Sequence, residues 1–195
     1  MPHDEFANPW VTLGSRPVYD NPWISVREDQ VTRPDGSPGI YGVVHFKHRA
    51  IGVLPVDDDG SIWLVGQYRY PLNVFSWEIP EGGGPADETP ESAARRELLE
   101  ETGLSASSLE RLLVAHLSNS VSDEESIIFR ATGLTQGVAQ PEGTERLHVR
   151  RVSWNEAWRM FQDGEITDSM SVIALLHEQV RRLSRNENRG GMRSR

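Results

Sequence analysis

GGGPADETPESAARRELLEETGL, residues 82–104, is the stretch whose reading decides the fold. Thr89 is a good N-cap, since its hydroxyl can accept from the first free backbone N–H groups of a helix. Pro90 suits the first helical position, where a missing N–H is no loss. Gly103 suits the left-handed residue that closes a helix. The stretch therefore predicts one helix from Pro90 to Thr102, entered from a glycine-rich loop. At about 100° per residue, Glu97, Glu100 and Glu101 fall within roughly a 100° arc of it. Three carboxylates on one stripe repel each other unless a cation stands among them. Hard oxygen donors of this kind suit Mg²⁺ or Mn²⁺, which bind a few carboxylates and take further ligands from phosphate.

An acidic, solvated helix face would explain the glutamates alone. It would not explain Gly82, Glu88, Arg96 and Gly103 at fixed offsets from them. With average residue usage the full set of matches arises by chance in a chain of this length about once in ten million. The pattern is G-x5-E-x7-R-E-U-x-E-E-x-G-U with U apolar, and every position is met between Gly82 and Leu104. In this it resembles the Nudix hydrolases, and the flanking QYRYP (67–71) and WEIPEGG (77–83) segments resemble the branch of that family that cleaves ADP-ribose and nucleoside diphosphate sugars. The resemblance implies an α+β fold, an α/β/α sandwich with a mixed sheet between helices and, here, an N-terminal β-rich extension.

The chain as a whole agrees with a soluble catalytic domain. Its 195 residues are 37% hydrophobic and 25% charged, the composition of a globular protein with a sizeable core. A net charge of −9 argues against a surface that coats nucleic acid. The absence of cysteine excludes a disulfide framework or a zinc–thiolate site and is compatible with a reducing cytoplasm. The start, MPHDEFANPW, lacks the basic and apolar regions of a signal peptide. No apolar run approaches the roughly 18 residues of a membrane span. The expectation is a cytoplasmic protein that binds neither membrane nor nucleic acid.

Read in order, residues 1–48 form a β-rich segment, expected to be a dimerisation element of a homodimer. VTLGSRPVYD (11–20) and PWISVREDQVTRP (22–34) read as strands, closed by a turn at Pro34–Gly36. Residues 49–184 form the hydrolase domain. Within it, Asp57-Asp58-Asp59-Gly60 is a turn between two β-rich runs rather than a metal site. Ser108–Ser118 and Glu125–Leu134 are strands, joined by a polar loop. Ser153-Trp154-Asn155-Glu156 is a capping box for a short helix through about Gln162, with Trp158 and Phe161 facing the core. A closing helix presents Val172, Leu176, Val180 and Leu183 as its apolar stripe. Residues 185–195 are basic and glycine-rich, and are expected to be disordered.

The site roles follow from the resemblance. Glu97, Glu100 and Glu101 hold two or three Mg²⁺ (or Mn²⁺), with the backbone carbonyl of Glu81 as a further ligand. Gly82, Glu88, Arg96 and Gly103 shape the motif, Arg96 by orienting a glutamate through a charge-assisted fork. Arg69, at the end of its strand, faces the diphosphate. Glu78 is expected as a supporting partner of the motif, paired with Arg96. Two loop acids, Glu142 and Glu145, compete for the role of catalytic base, and alignment on the strand that follows favours Glu145. Glu101 and Glu97 are the remaining catalytic candidates, and Glu142 is otherwise a substrate contact. Trp23 is read two ways, as a stacker on the nucleobase or as an interface or core tryptophan. Where many ADP-ribose pyrophosphatases carry a Pro-Gly pair, this chain has Asn119-Ser120-Val121-Ser122, which opens nucleotide sugars as substrates. The implied reaction is hydrolysis of a nucleoside diphosphate sugar to a nucleoside monophosphate and a sugar phosphate. Its competitors are hydrolysis of nucleoside triphosphates or dinucleoside polyphosphates, and sensing of a nucleotide sugar without cleavage.

Overall fold

A computed structural model describes residues 6–137 and 146–191. The chain divides into two compact units. The first is an antiparallel sheet of β1 (Val11–Asp20), β2 (Ile24–Thr32) and β3 (Pro38–Phe46) in that order. The β2–β3 turn is the one the sequence suggests, with Gly36 at φ 83°, a left-handed value that glycine adopts without steric cost. Register shifts between Thr12 and Gly14 and between Pro17 and Tyr19 bend β1, as bulges do. Every residue of β1 is exposed.

The segment His116–Glu125 belongs to this first unit, although its place in the sequence suggests the hydrolase domain. Backbone pairing explains the difference. Val44 N–H donates to Val121 O at 2.9 Å and Asp123 N–H donates to Val44 O at 3.3 Å. Tyr41 Oη donates to Ser120 O at 2.6 Å, and Asp123 accepts from Phe46 N–H at 3.1 Å. The residues replacing the Pro-Gly pair thus satisfy the outer edge of β3.

The second unit holds the motif. Its mixed sheet runs β7 (Glu81–Gly84), β4 (Arg49–Pro55), β9 (Glu125–Gln136), β8 (Leu104–His116), with β4 and β9 parallel. A separate antiparallel sheet runs β10 (His148–Val152), β5 (Ile62–Arg69), β6 (Val74–Glu78). The helices are α1 (Pro90–Thr102), α2 (Trp154–Gln162) and α3 (Ser169–Gly191). Ile51, Val53, Ala93, Ala94, Leu98, Ile127 and Phe129 form the core between α1 and the mixed sheet. Asp57–Gly60 is the turn the sequence suggests, closed by Gly60 N–H donating to Asp57 O at 2.9 Å. Arg151 pairs with its Asp57 and Asp59. Among the described residues no helix is long and apolar enough to cross a membrane.

Four expectations change here. The glycine loop before α1 is a short strand: Glu81–Gly84 pairs antiparallel with Arg49–Gly52. A side chain at Gly84 would meet Ile51 Cγ1 at 2.8 Å and Ala93 Cβ at 3.5 Å, so lack of a Cβ lets β7 slip between β4 and α1. On α2 the buried residues are Ala157 and Met160. Trp158 and Phe161, each one position further on, are half-buried and pack on one another at 5.2 Å. On α3 the inward face is Met170, Ser171, Ala174, Leu175 and Glu178. Leu176, Val180 and Leu183 of the expected apolar stripe are exposed, and Val172 is half-buried. Polar partners turn the helix: Arg130 of β9 holds the buried Glu178 at 2.9 Å, a charge pair that would be costly to expose singly inside the protein. The helix also continues to Gly191, into the segment expected to be disordered, because no strong breaker follows Arg185 before Gly190.

Gly66 allows the aromatic packing of the smaller sheet. A Cβ there would meet Phe75 Cζ at 2.6 Å and Trp77 Cε3 at 2.9 Å. Trp77 is accordingly a half-buried outer wall, edge-on to Phe75 at 5.5 Å with Arg150 over its ring. Gly66→Ala forces two rigid rings apart, so a chemical melt should report a loss of about 1–3 kcal/mol.

Candidate active site

The helix that carries the motif is fixed locally at both ends. Thr89 Oγ1 accepts from Ser92 N–H at 3.2 Å. Gly103 has φ 72°, and its N–H donates to Leu99 O at 2.8 Å. This phase places Glu97 and Glu101 on the side of α1 that packs inward, 8% and 3% exposed, with Glu100 on the flank. Two carboxylates on the buried face of a helix are expensive unless charge or hydrogen bonds compensate them.

Arg96 supplies part of that compensation. It forks Glu88 at 3.0–3.4 Å and donates to Gly83 O at 2.8 Å. It also reaches Glu97 Oε1 at 2.7 Å and Glu100 Oε2 at 3.0 Å. Glu88 in turn accepts from Ser92 Oγ at 3.2 Å. The Arg96 fork, above all, holds the Glu88 carboxyl below its ordinary pKa. One arginine therefore ties loop, strand and helix together and orients two glutamates. Glu101 Oε2 accepts from the Glu81 N–H at 2.9 Å.

The opposite wall is the Glu81–Gly82 peptide. A Cβ on Gly82 would lie 2.2 Å from Glu97 Cδ, so only glycine lets β7 approach the Glu97 carboxylate this closely. The Glu81 side chain turns the other way and is 8% exposed. It pairs with Arg69, while its Oε2 is buried with no hydrogen-bond donor. Burial pushes its carboxyl well above the ordinary range, and the neighbouring Asp168 and Glu78 act in the same direction against Arg69.

Glu78 departs from its expected role, and Arg69 has carboxylate partners that the sequence does not indicate. Glu78, 2% exposed, is gripped by Arg69 at 2.6–3.0 Å and not by Arg96. Arg69 is thereby committed to Glu78 and Glu81, with 34% of its side chain open to solvent. Burial alone would lower the Arg69 pKa, but its bonds to Glu78 and the charge of Glu81 outweigh that and raise it. Sequence reading misses the Glu81 side chain and Asp168 because their partners are distant in sequence. The local signal for Asp168 is the Gly164-Glu165-Ile166-Thr167-Asp168 run just ahead of α3.

Trp23 lies in the first unit. Its N–H donates to Asn21 Oδ1 at 2.9 Å, and its side chain is 68% exposed, which removes the core reading. Glu142 and Glu145 lie outside the described residues.

Whether a divalent cation fits can be judged from the donors. All are hard oxygens, two of the carboxylates are buried, and the strand facing them is glycine where a side chain would fill the space. Among the described residues no group of three acidic or histidine side chains is already gathered at ligand spacing. Arg96 and the Glu81 amide occupy oxygens that a cation would share. The donor set fits Mg²⁺ or Mn²⁺.

Taken together, the mixed sheet backed by α1 and the buried carboxylate stripe define a metal-dependent hydrolase of the kind that opens phosphate anhydrides. Comparison with known proteins agrees. The NUDIX domain model matches residues 46–172, and that of the nucleoside diphosphate sugar hydrolase N-terminal domain matches residues 10–44. An ADP-ribose pyrophosphatase of Mycobacterium tuberculosis is 34% identical over 170 residues, 85% of this chain and 81% of that protein. A GDP-mannose pyrophosphatase of Yersinia enterocolitica is 30% identical over 132 residues, 63% of this chain and 68% of that protein. A crystal structure described as an ADP compounds hydrolase superposes with a TM-score of 0.80 at 21% identity, over 92% of this chain and 96% of that one, which speaks for the fold. The chain belongs to the Nudix hydrolase family.

Proposed function

We propose that this chain hydrolyses the diphosphate of ADP-ribose and related nucleoside diphosphate sugars, with Mg²⁺ (or Mn²⁺) as cofactor. The observation that carries this reading is the burial of Glu97 and Glu101 against the Gly82 strand. The similarity to ADP-ribose and GDP-mannose pyrophosphatases supports the substrate class. Bound divalent cations would neutralise the diphosphate charge and make a water a better nucleophile. Glu97, Glu100, Glu101 and the Glu81 carbonyl would hold them. Arg96 keeps Glu97 and Glu100 oriented, and Arg69 offsets charge near the diphosphate. Glu145 is the candidate to take the proton from the attacking water. A water oxygen bonds to one phosphorus, the bridging P–O bond breaks, and the products are a nucleoside monophosphate and a sugar phosphate.

The N-terminal unit supports a homodimer. Val11, Leu13, Val18 and Tyr19 of β1 are each more than half open to solvent, apolar surface that a second copy would cover. Trp23 is the candidate for stacking on the nucleobase. The cysteine-free sequence supports a reducing, cytoplasmic setting.

Chromatography of an ADP-ribose digest should show AMP and ribose 5-phosphate in equal amounts with Mg²⁺, and neither with chelator. Turnover of nucleoside triphosphates but of no diphosphate sugar would overturn the substrate assignment. In the same assay Glu145→Gln should lower kcat by about 10²-fold or more. A collapse in Glu142→Gln with Glu145→Gln unchanged would move the base to Glu142.

A further inference from the structure

Two arginines on the side of the mixed sheet away from α1 are held in place with donors to spare. Ile127, Phe129 and Ala131 of β9 pack in the core with α1. Arg130 therefore points to the opposite face, where it meets α3. The buried Glu178 of α3 takes one arginine on each oxygen. Arg130 Nε donates to its Oε2 at 2.9 Å, and Arg182 Nε donates to its Oε1 at 2.9 Å. Arg182 is fixed twice more: Nη2 donates to Gly60 O at 2.9 Å, and the guanidinium carbon lies 4.1 Å from the centre of the Trp154 ring. Trp154 is itself anchored, its Nε1 donating to Gln179 Oε1 at 3.0 Å. Gly60 leaves room for this, since a Cβ there would stand 3.2 Å from Arg182 Nη1. Neither Nη of Arg130, nor Nη1 of Arg182, donates to any described residue. Yet only 12% and 24% of these side chains are open to solvent. Both arginines line one cleft of about 530 Å³, bounded by the turn at 57–60, α2 and α3, with Arg185 also on its wall.

We propose that this cleft binds a terminal phosphate group, free or carried by a phosphomonoester, through the Nη donors of Arg130 and Arg182. One carboxylate between two guanidiniums leaves the group with net positive charge. The N–H donors left over outnumber the roughly four lone-pair positions of a carboxylate, whereas a terminal phosphate offers three strong acceptor oxygens. Guanidinium forks match those oxygens in pairs. Both arginines are already anchored, so a ligand need not order two mobile side chains on arrival. The acidic turn at the rim opposes an anion only weakly. Arg151 pairs with Asp57 and Asp59, and Asp58 is exposed, where salt screens its charge. The cleft and the carboxylate stripe of α1 lie on opposite faces of the sheet, so the proposal does not depend on the reading of the motif.

The test is titration calorimetry on the full chain in metal-free buffer at about 0.15 M chloride, where loose ion pairing is screened. Removing divalent cations keeps the carboxylate stripe from holding the anion. Inorganic phosphate and ribose 5-phosphate are the probes, with acetate as the control. Saturable binding of at least one phosphate is expected, with acetate about tenfold weaker or more. The tighter of the two phosphates tells whether the occupant is the free ion or an ester. Arg130→Lys keeps a positive charge beside Glu178 but lacks the Nη donors, so phosphate affinity should fall about tenfold or more. Thermal melting reports the Glu178 pair separately and should stay close to the parent. If Arg130→Lys does not fold, Arg182→Lys takes its place with the same expected loss. Absence of saturable binding by both phosphates overturns the proposal, as does acetate bound equally well. Parent-like phosphate affinity in the folded lysine variant overturns it too.

Discussion

Glu101→Gln should lower kcat for ADP-ribose at least about a hundredfold, roughly 2.7 kcal/mol of barrier, with the fold intact. Glu101 is 3% exposed, and its Oε2 accepts from the Glu81 N–H at 2.9 Å. A glutamine of the same length keeps an oxygen to accept that bond, so the strand and helix stay where they are. What disappears is one negative charge in a buried place, where charge matters most because the local dielectric is low. Thermal melting together with kcat at saturating Mg²⁺ separates the two effects. A variant that melts like the parent and keeps most of its Mg²⁺-dependent turnover would remove Glu101 from the site.

Gly82→Ala is the second large effect, and it arises without changing any charge. The new methyl would stand 2.2 Å from Glu97 Cδ, so something must move. The atoms it meets are at the end of a flexible side chain, and the carboxylate can swing aside with little cost to the fold. Stability should therefore fall only slightly, while kcat falls about 10²-fold because Glu97 leaves its place, the loss expected of a displacement near 1 Å at a reacting centre. Gly84→Ala makes the useful contrast. Its methyl would meet Ile51 and Ala93 in the core, so melting should drop clearly. If Gly82→Ala and Gly84→Ala lost stability and activity in the same proportion, close approach to Glu97 would not be the reason for the glycine.

The motif helix was legible because everything that specifies it is local. Thr89, Pro90 and Gly103 mark its ends within the segment itself, and the spacing of Glu97, Glu100 and Glu101 follows from the helical period. The turns at Gly36 and Gly60 were legible for the same reason. What the sequence hid depends on partners far along the chain. The inward face of α3 is chosen by Arg130 and by Ile79, which capture Glu178 and Ser171, and an apolar count along the helix sees neither. Locally Glu81 stands out for its backbone alone, yet its buried side chain pairs with Arg69. Arg69 reads as a cation facing the diphosphate, and nothing local tells that Glu78 and Glu81 stand beside it. Segment 116–125 looked like a loop of the hydrolase domain until its backbone found the edge of β3.

The central claim is that carboxylates from the last turns of α1, with the peptide of β7, gather divalent cations around a pyrophosphate. It is tested most directly by anomalous diffraction at the manganese edge on crystals grown with Mn²⁺ and a non-hydrolysable ADP-ribose analogue. The account predicts manganese peaks within ligand distance of Glu97 and Glu101 carboxylate oxygens, beside the Glu81 carbonyl, with the analogue's diphosphate completing the coordination. Manganese and diphosphate found together elsewhere, with Glu97 still bonded to Arg96 and Glu101 to the Glu81 amide, would contradict it.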